Sequence, residues 1–138
     1  MHTTLDHVSI LAIVAATIAV MALGALWFTL VFERPYAVVL GRGSQPKAKM
    51  APLYFVGPSL CVLVTTVTNA ILMSAQRIGS IGEAIGVGTI VGVGYLSATA
   101  MNMAINPNIP RPISYGLLSS AYFLVSSILI SVIIYVMH

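Results

Sequence analysis

Four apolar stretches make up most of this chain and constrain its fold more than any other feature. They span residues 8–32, 53–75, 84–105 and 113–137, and none of them contains a charged residue. A helix needs about 20 apolar residues to cross a hydrocarbon core roughly 30 Å thick, and each stretch is long enough. The sequence therefore predicts an all-α integral membrane protein: one domain, residues 1–138, with four transmembrane helices in an antiparallel up-down bundle.

Composition excludes a water-soluble fold. Hydrophobic residues are 59% of the chain and charged residues 7%, and the mean hydropathy is +1.02. Three acidic and six basic side chains are too few to cover the surface of a soluble domain. The net charge of +3 does not indicate nucleic-acid binding, because the basic residues lie at helix ends and in loops. The predicted partner is the lipid bilayer.

The ends of the stretches carry recognisable helix signals. Ser80 and Glu83 have the spacing of a capping box and open the third helix. Pro112 is suited to the first position of the fourth helix, where a missing N–H costs nothing. The first stretch is interpreted as a retained span rather than a cleaved signal, because no Lys or Arg precedes it and its apolar run is too long.

The distribution of positive charge predicts the orientation. Loop 33–51 carries Arg34, Arg42, Lys47 and Lys49, and loop 106–112 carries Arg111, whereas the remaining loop has only Arg77. Cytoplasmic loops retain Lys and Arg. Loops 33–51 and 106–112 are therefore expected to be cytoplasmic, with both termini outside the cell membrane.

Small and amide residues predict how the helices pack. Gly82 and Gly86, and separately Gly88 and Gly92, are four residues apart, so the third helix presents small-residue patches on two faces. Packing against helices of the same chain is the favoured interpretation, and contact with a second subunit is the alternative. Asn69 and Asn102 are the polar groups most costly to leave unpaired in lipid, which predicts specific contacts between helices.

The fourth helix carries a row of polar side chains on one face: Tyr115, Ser119, Tyr122 and Ser126, at spacings of four, three and four. A looser second row contains Ser120, Ser127 and Ser131. Such side chains can line a polar path. Hydroxyl groups in membrane helices more often bond a carbonyl one turn back or a neighbouring helix, so packing is the favoured interpretation here as well.

Ionisable groups inside the membrane usually mark proton relays, ion paths or coupling sites, and these stretches contain none. Glu83 is explained by its capping position. The three histidines, His2, His7 and His138, lack a spacing that holds two of them on one face, so no metal site is predicted. Cys61 has no histidine near it in sequence. We therefore predict no catalytic residues, no cofactor and no enzyme activity.

The segment Gly24–Phe28 resembles a known signature. A Gly-x-Leu-Trp-aromatic motif at the end of the first span, followed by aromatic residues such as Phe32 and Tyr36, is similar to that of the DUF1761 family of small bacterial and archaeal membrane proteins. That family more often has Trp where Tyr36 stands. The resemblance implies four spans in a prokaryotic membrane and no particular activity. Aromatic side chains at a span end anchor helices at the interface, which predicts that role for Trp27, Phe28 and Tyr36.

Two function classes remain open. The first is a non-catalytic accessory or structural subunit, in a homo-oligomer or in a larger membrane complex. The second is a small oligomeric channel or transporter lined by the polar residues of the fourth helix. Four-helix multidrug exporters of similar length rely on a carboxylate in the first span, and residues 8–32 contain none. An embedded enzyme comes third, since no catalytic constellation is present.

The orientation can be tested by cysteine labelling in intact cells. A cysteine placed at Gly43 should be protected from an impermeant reagent, while one at the C-terminus should react, because the charge bias places loop 33–51 in the cytoplasm. Labelling at Gly43 would reverse the predicted topology.

Overall fold

A computed structural model describes residues 8–31 and 52–137. It contains four long helices: α1 (Ile10–Ala25, continued by a π-helical turn Leu26–Val31), α2 (Leu53–Ala75), α3 (Ile81–Ala104) and α4 (Pro112–Val136). All four are long and apolar enough to cross a membrane. The predicted all-helical fold with four membrane-capable helices is therefore confirmed. The basic loop 33–51, Tyr36 and the three histidines lie outside the described residues.

The helices begin where side chains satisfy their first N–H groups. Ser80 Oγ accepts a hydrogen bond from the Glu83 N–H at 3.2 Å, and Glu83 Oε2 accepts one from the Gly79 N–H at 2.7 Å. The predicted capping arrangement is thereby confirmed, and α3 starts at Ile81, three residues before the apolar run. Pro112 occupies the first turn of α4, as expected.

The end of α2 has an unusual residue. Arg77 adopts the left-handed conformation, with φ at 53°. Its N–H donates to the Ser74 carbonyl at 3.2 Å, and the Ile78 N–H donates to the Met73 carbonyl at 3.3 Å. These two bonds form a Schellman motif, in which glycine usually holds the left-handed position. An L side chain there costs about 1–2 kcal/mol.

Helix α4 is the centre of the structure. It contacts each of the other three helices, and α3 packs chiefly against it. It also has the largest buried share of the four. Residues along α3 meet α4 in reverse order: Gly88 lies at Ser127 and Ile128, Gly92 at Leu124, and Met101 at Gly116. An antiparallel helix pair requires this order.

At Gly88 and Gly92, the backbone of α3 lies directly against the backbone of α4. A Cβ atom built on Gly88 would lie 2.7 Å from Ile128 Cα and 2.9 Å from the Ser127 carbonyl oxygen. A Cβ on Gly92 would lie 3.1 Å from Leu124 Cα. Backbone atoms cannot rotate away as a side chain can, so the position of Gly88 needs glycine, and at Gly92 a Cβ atom would require the α4 backbone to shift by a few tenths of an ångström.

The two glycine patches of α3 should therefore respond differently to alanine. Gly88→Ala should destabilise the folded chain by about 1–3 kcal/mol, because the added methyl group overlaps the α4 backbone. Gly86→Ala is the matched control: no atom lies within 4 Å of its added Cβ. Its effect should be neutral, or stabilising by up to about 1 kcal/mol through helix propensity. Thermal unfolding of both variants in one detergent measures the difference, and equal melting temperatures would contradict the close approach.

Candidate functional site: the polar interior around α4

The polar face of α4 points into the protein. Ser119, Tyr122 and Ser126 of the predicted row are buried, and Tyr115 is half-buried. Ser127 and Ser131, from the looser second row, have no exposed surface at all. In a hydrocarbon environment this arrangement keeps hydroxyl groups away from lipid, where an unpaired polar group costs several kcal/mol.

Helix α2 contributes the partner of this polar face. The Asn69 side-chain amide donates a hydrogen bond to Ser131 Oγ at 3.3 Å, and both residues are at most 1% exposed. The structure therefore places Asn69 in a specific contact between helices. Asn102, the other amide singled out by the sequence, is exposed on α3 among the residues that the structure describes.

Beside this bond lies a row of buried oxygen atoms. Thr66 Oγ1, Asn69 Oδ1 and Ser127 Oγ are buried and have no hydrogen-bond partner in the described part of the chain. The neighbouring Thr65 and Thr68 differ, because their hydroxyls donate to carbonyls one turn back, at 3.0 and 2.9 Å. The polar seam, defined by Thr66 and Asn69 of α2 and by Ser127 and Ser131 of α4, thus has hydrogen-bonding groups that the described residues leave unpaired.

Aromatic rings surround Tyr122 in the middle of α4. The centroid of its ring lies 6.3 Å from that of Trp27, and 5.1 Å from those of Phe28 and Phe123. The Tyr122 hydroxyl lies over Gly24, 3.0 Å from where a Cβ atom would be. Trp27 and Phe28 were expected as interface anchors; the structure places both half-buried against Tyr122. The aromatic motif of the first span therefore takes part in packing.

Two π-helical turns flank this part of α4. The turn Leu26–Val31 carries Trp27 and Phe28, and the turn Gly92–Ser97 lies within α3. Ser97 Oγ donates to the Ser120 carbonyl at 2.8 Å, and Ser120 Oγ donates to the Ser97 carbonyl at 3.1 Å. This reciprocal pair of hydrogen bonds joins α3 to α4 at the π-helical turn of α3. Such turns occur often at functional sites, and nothing in the sequence pattern indicated them.

A small pocket of about 150 Å³ adjoins Tyr122. Its walls include Pro58, Cys61 and Thr65 of α2, and Tyr122 and Ser126 of α4. These walls are mainly apolar, and they bring together no base with a nucleophile. Residues 8–31 and 52–137 also contain no group of three or more His, Cys, Asp or Glu side chains placed to hold a metal.

A larger pocket of about 280 Å³ lies at one end of the bundle, where α2 and α4 end and α1 begins. Its wall includes Arg77, whose only role in the predicted topology is as a positive charge in the second loop. The feature that marks Arg77 as a candidate functional residue is its left-handed backbone conformation, which is visible only in the structure.

The two glycine patches of α3 have different surroundings. Gly88 and Gly92 are buried against α4, which agrees with packing inside the chain. Nothing lies within 4 Å of a Cβ built on Gly86, and the Cβ of Gly82 would meet only Ser80, 3.9 Å away in the same helix start. The Gly82/Gly86 face is thus open among the residues that the structure describes.

Comparison with known proteins identifies one family. The family described as "Protein of unknown function (DUF1761)" matches residues 11–135, which is most of the chain. The match includes all of α2, α3 and most of α1 and α4. No curated protein and no solved structure matches the chain.

The bond between Asn69 and Ser131 can be tested with a double-mutant cycle. Asn69→Ala and Ser131→Ala should each destabilise the fold, and the double variant should cost less than their sum by about 0.6–2 kcal/mol, because either change alone leaves a buried group unpaired. Thr68→Ala, which removes an exposed hydroxyl bonded within its own helix, is the control. Strictly additive effects would show that the contact contributes nothing.

Proposed function

The chain belongs to the DUF1761 family, and we propose that it is a non-catalytic integral membrane protein that serves as a structural or accessory subunit. In this proposal it associates inside the bilayer through the open face of α3, with a second copy of itself as the first partner to test. The observation that supports this proposal is that Gly88 and Gly92 of α3 pack against α4, whereas no described residue covers Gly86.

The open face has the features of a helix contact in lipid. Gly82 and Gly86 lie one turn apart, and a Cβ atom on Gly86 would meet nothing. Ile81, Ile85 and Ile90 are 49%, 42% and 69% exposed along the same helix. Association in membranes depends on small residues that let backbones approach, and the Gly-x-x-x-Gly spacing occurs in self-associating spans. Gly88 and Gly92 already show such an approach within this chain.

The non-catalytic part of the proposal is supported by the chemistry of the interior. The polar groups around α4 are hydroxyls and amides, and the four apolar stretches contain no carboxylate, Lys, Arg or His. Proton relays and ion paths in membranes rely on such ionisable groups. The one acidic residue of α3, Glu83, is engaged by the Gly79 N–H at the helix start.

An oligomeric channel lined by α4 has less support. Such a pore would need Ser119, Tyr122 and Ser126 on a surface shared between copies, whereas each of them is buried inside the single chain. The open surface of the chain is instead apolar, with exposed side chains such as Leu60, Ile90 and Leu117.

We further propose a multi-pass arrangement in the cell membrane of a prokaryote, with both termini outside. The charge bias of the loops supports this orientation.

Substitutions on α3 test the proposed face. The unsubstituted chain should purify in mild detergent as one defined oligomer, and Gly86→Leu should convert it to the monomer, since a bulky side chain separates the two backbones. Gly57→Leu on α2 is the matched control, because among the described residues a Cβ atom at Gly57 would meet only a Leu53 methyl, 4.0 Å away in the same helix. Native mass spectrometry gives the copy number.

Gly86→Leu should keep the melting temperature of the monomer, since no described residue lies within 4 Å of a Cβ atom at this position. An oligomer that persists in Gly86→Leu would show that the Gly82/Gly86 face is not the interface. An unsubstituted chain that purifies as a monomer would refute self-association.

A further inference from the structure

The pocket of about 280 Å³ at the end of the bundle has an apolar floor. Ala70, Met73 and Ile134 line it and are 3%, 4% and 6% exposed. Val8 and Ile78 complete the apolar wall. The pocket is formed by three helices, at the level where α1 begins and α2 and α4 end, which is the level of lipid headgroups for spans of this length.

The rim of the same pocket is polar and positively charged. Of the described residues on its wall, Arg77 alone is charged, and it lies beside Ser9, Ser74 and Tyr135. The Tyr135 hydroxyl donates to the Gly79 carbonyl at 3.3 Å, which holds the end of α4 against the α2–α3 connection. No carboxylate of the described segments lines the pocket, and the nearby Glu83 is bonded to a backbone N–H.

The backbone holds Arg77 at this rim. Its left-handed conformation is the one that glycine prefers at the end of a helix, so an arginine there carries a conformational cost that glycine would avoid. The Met73 carbonyl that accepts the Ile78 N–H belongs to a residue of the pocket floor. The Schellman motif that ends α2 thus connects Arg77 to the apolar floor of the pocket through Met73.

We propose that this pocket binds an anionic phospholipid, with its phosphate at Arg77 and the first part of an acyl chain on the Ala70–Met73–Ile134 floor. A guanidinium group presents a planar pair of donors that matches phosphate oxygens. The apolar floor beside it matches hydrocarbon. Arg77 acts here as a binding residue, and the site is independent of the open face of α3.

A purely structural role for Arg77 makes a different prediction. A cation near the end of a helix is favoured by the helix dipole, and this effect needs no ligand and no particular lipid. In that case removing the charge would lower stability and leave lipid selectivity unchanged.

Arg77→Gly separates the two roles, because glycine suits the left-handed backbone and removes the cation. The purified full chain is titrated with phosphatidylglycerol and, separately, with phosphatidylcholine, and bound lipid is counted by native mass spectrometry. The unsubstituted chain should prefer phosphatidylglycerol. Arg77→Gly should weaken that binding at least about tenfold, with a melting temperature in lipid-free detergent that is unchanged or higher. Arg77→Lys should retain part of the preference.

Two further variants are controls. Arg111→Gln removes the other arginine of the described residues, at the start of α4 and outside the pocket, and it should keep the preference for phosphatidylglycerol. Asp6→Asn removes a carboxylate that precedes Val8 in the sequence, and it should bind phosphatidylglycerol at least as well as the parent chain.

Several outcomes would overturn the proposal. Arg77→Gly with unchanged phosphatidylglycerol binding would exclude the role of the cation, and equal losses in Arg77→Gly and Arg111→Gln would show only non-specific attraction. Inorganic phosphate alone should bind too weakly to compete with the lipid. If it competes at equal concentration, the site recognises free phosphate and the apolar floor plays no part.

Discussion

The structure depends on the close approach of α3 and α4 at Gly88 and Gly92. Lipid supplies no hydrophobic force between apolar helices, so packing at short range has to hold them together. Glycine permits this where a methyl group would meet the α4 backbone at 2.7 Å. The same pair of helices is also joined by reciprocal hydrogen bonds between Ser97 and Ser120. The close approach also leaves the Gly82/Gly86 face of α3 without a close neighbour in segments 8–31 and 52–137.

The position of α4 at the centre follows from its polar side chains. A helix with several hydroxyl groups along one face is costly to expose to hydrocarbon, and contacts with three helices cover that face. Asn69 reaches the seam from α2, and the aromatic residues of α1 cover Tyr122. The interior thus contains the polar seam and, beside Tyr122, the aromatic rings of Trp27 and Phe28. The hydrogen bond from Asn69 to Ser131 links α2 to α4.

Much of this site was visible in the sequence, but its geometry was not. The row Ser119, Tyr122 and Ser126 was identified by spacing, since residues three and four apart share a helix face. Spacing did not predict that Ser127 and Ser131 are the most buried of these serines. Which of two adjacent rows on α4 is more buried depends on the residues of the neighbouring helices, such as Asn69. Asn69 and Asn102 looked equivalent, and only the neighbours of each helix separate the buried amide from the exposed one. The π-helical turns and the left-handed Arg77 had no signal in composition or period.

The sequence by itself determined which four stretches are long and apolar enough to cross a membrane, and which side chains begin α3 and α4. Run length and the absence of charge decide whether a segment crosses lipid, and Ser80, Glu83 and Pro112 act within one turn of their own helix. The tertiary structure decided which glycine patch is used, which polar row is innermost and where Arg77 meets an apolar pocket. These are contacts between residues far apart in the chain, and they depend on helix rotation and distance. A single sequence specifies its helices locally, whereas the partner of each face is a property of the whole packed molecule.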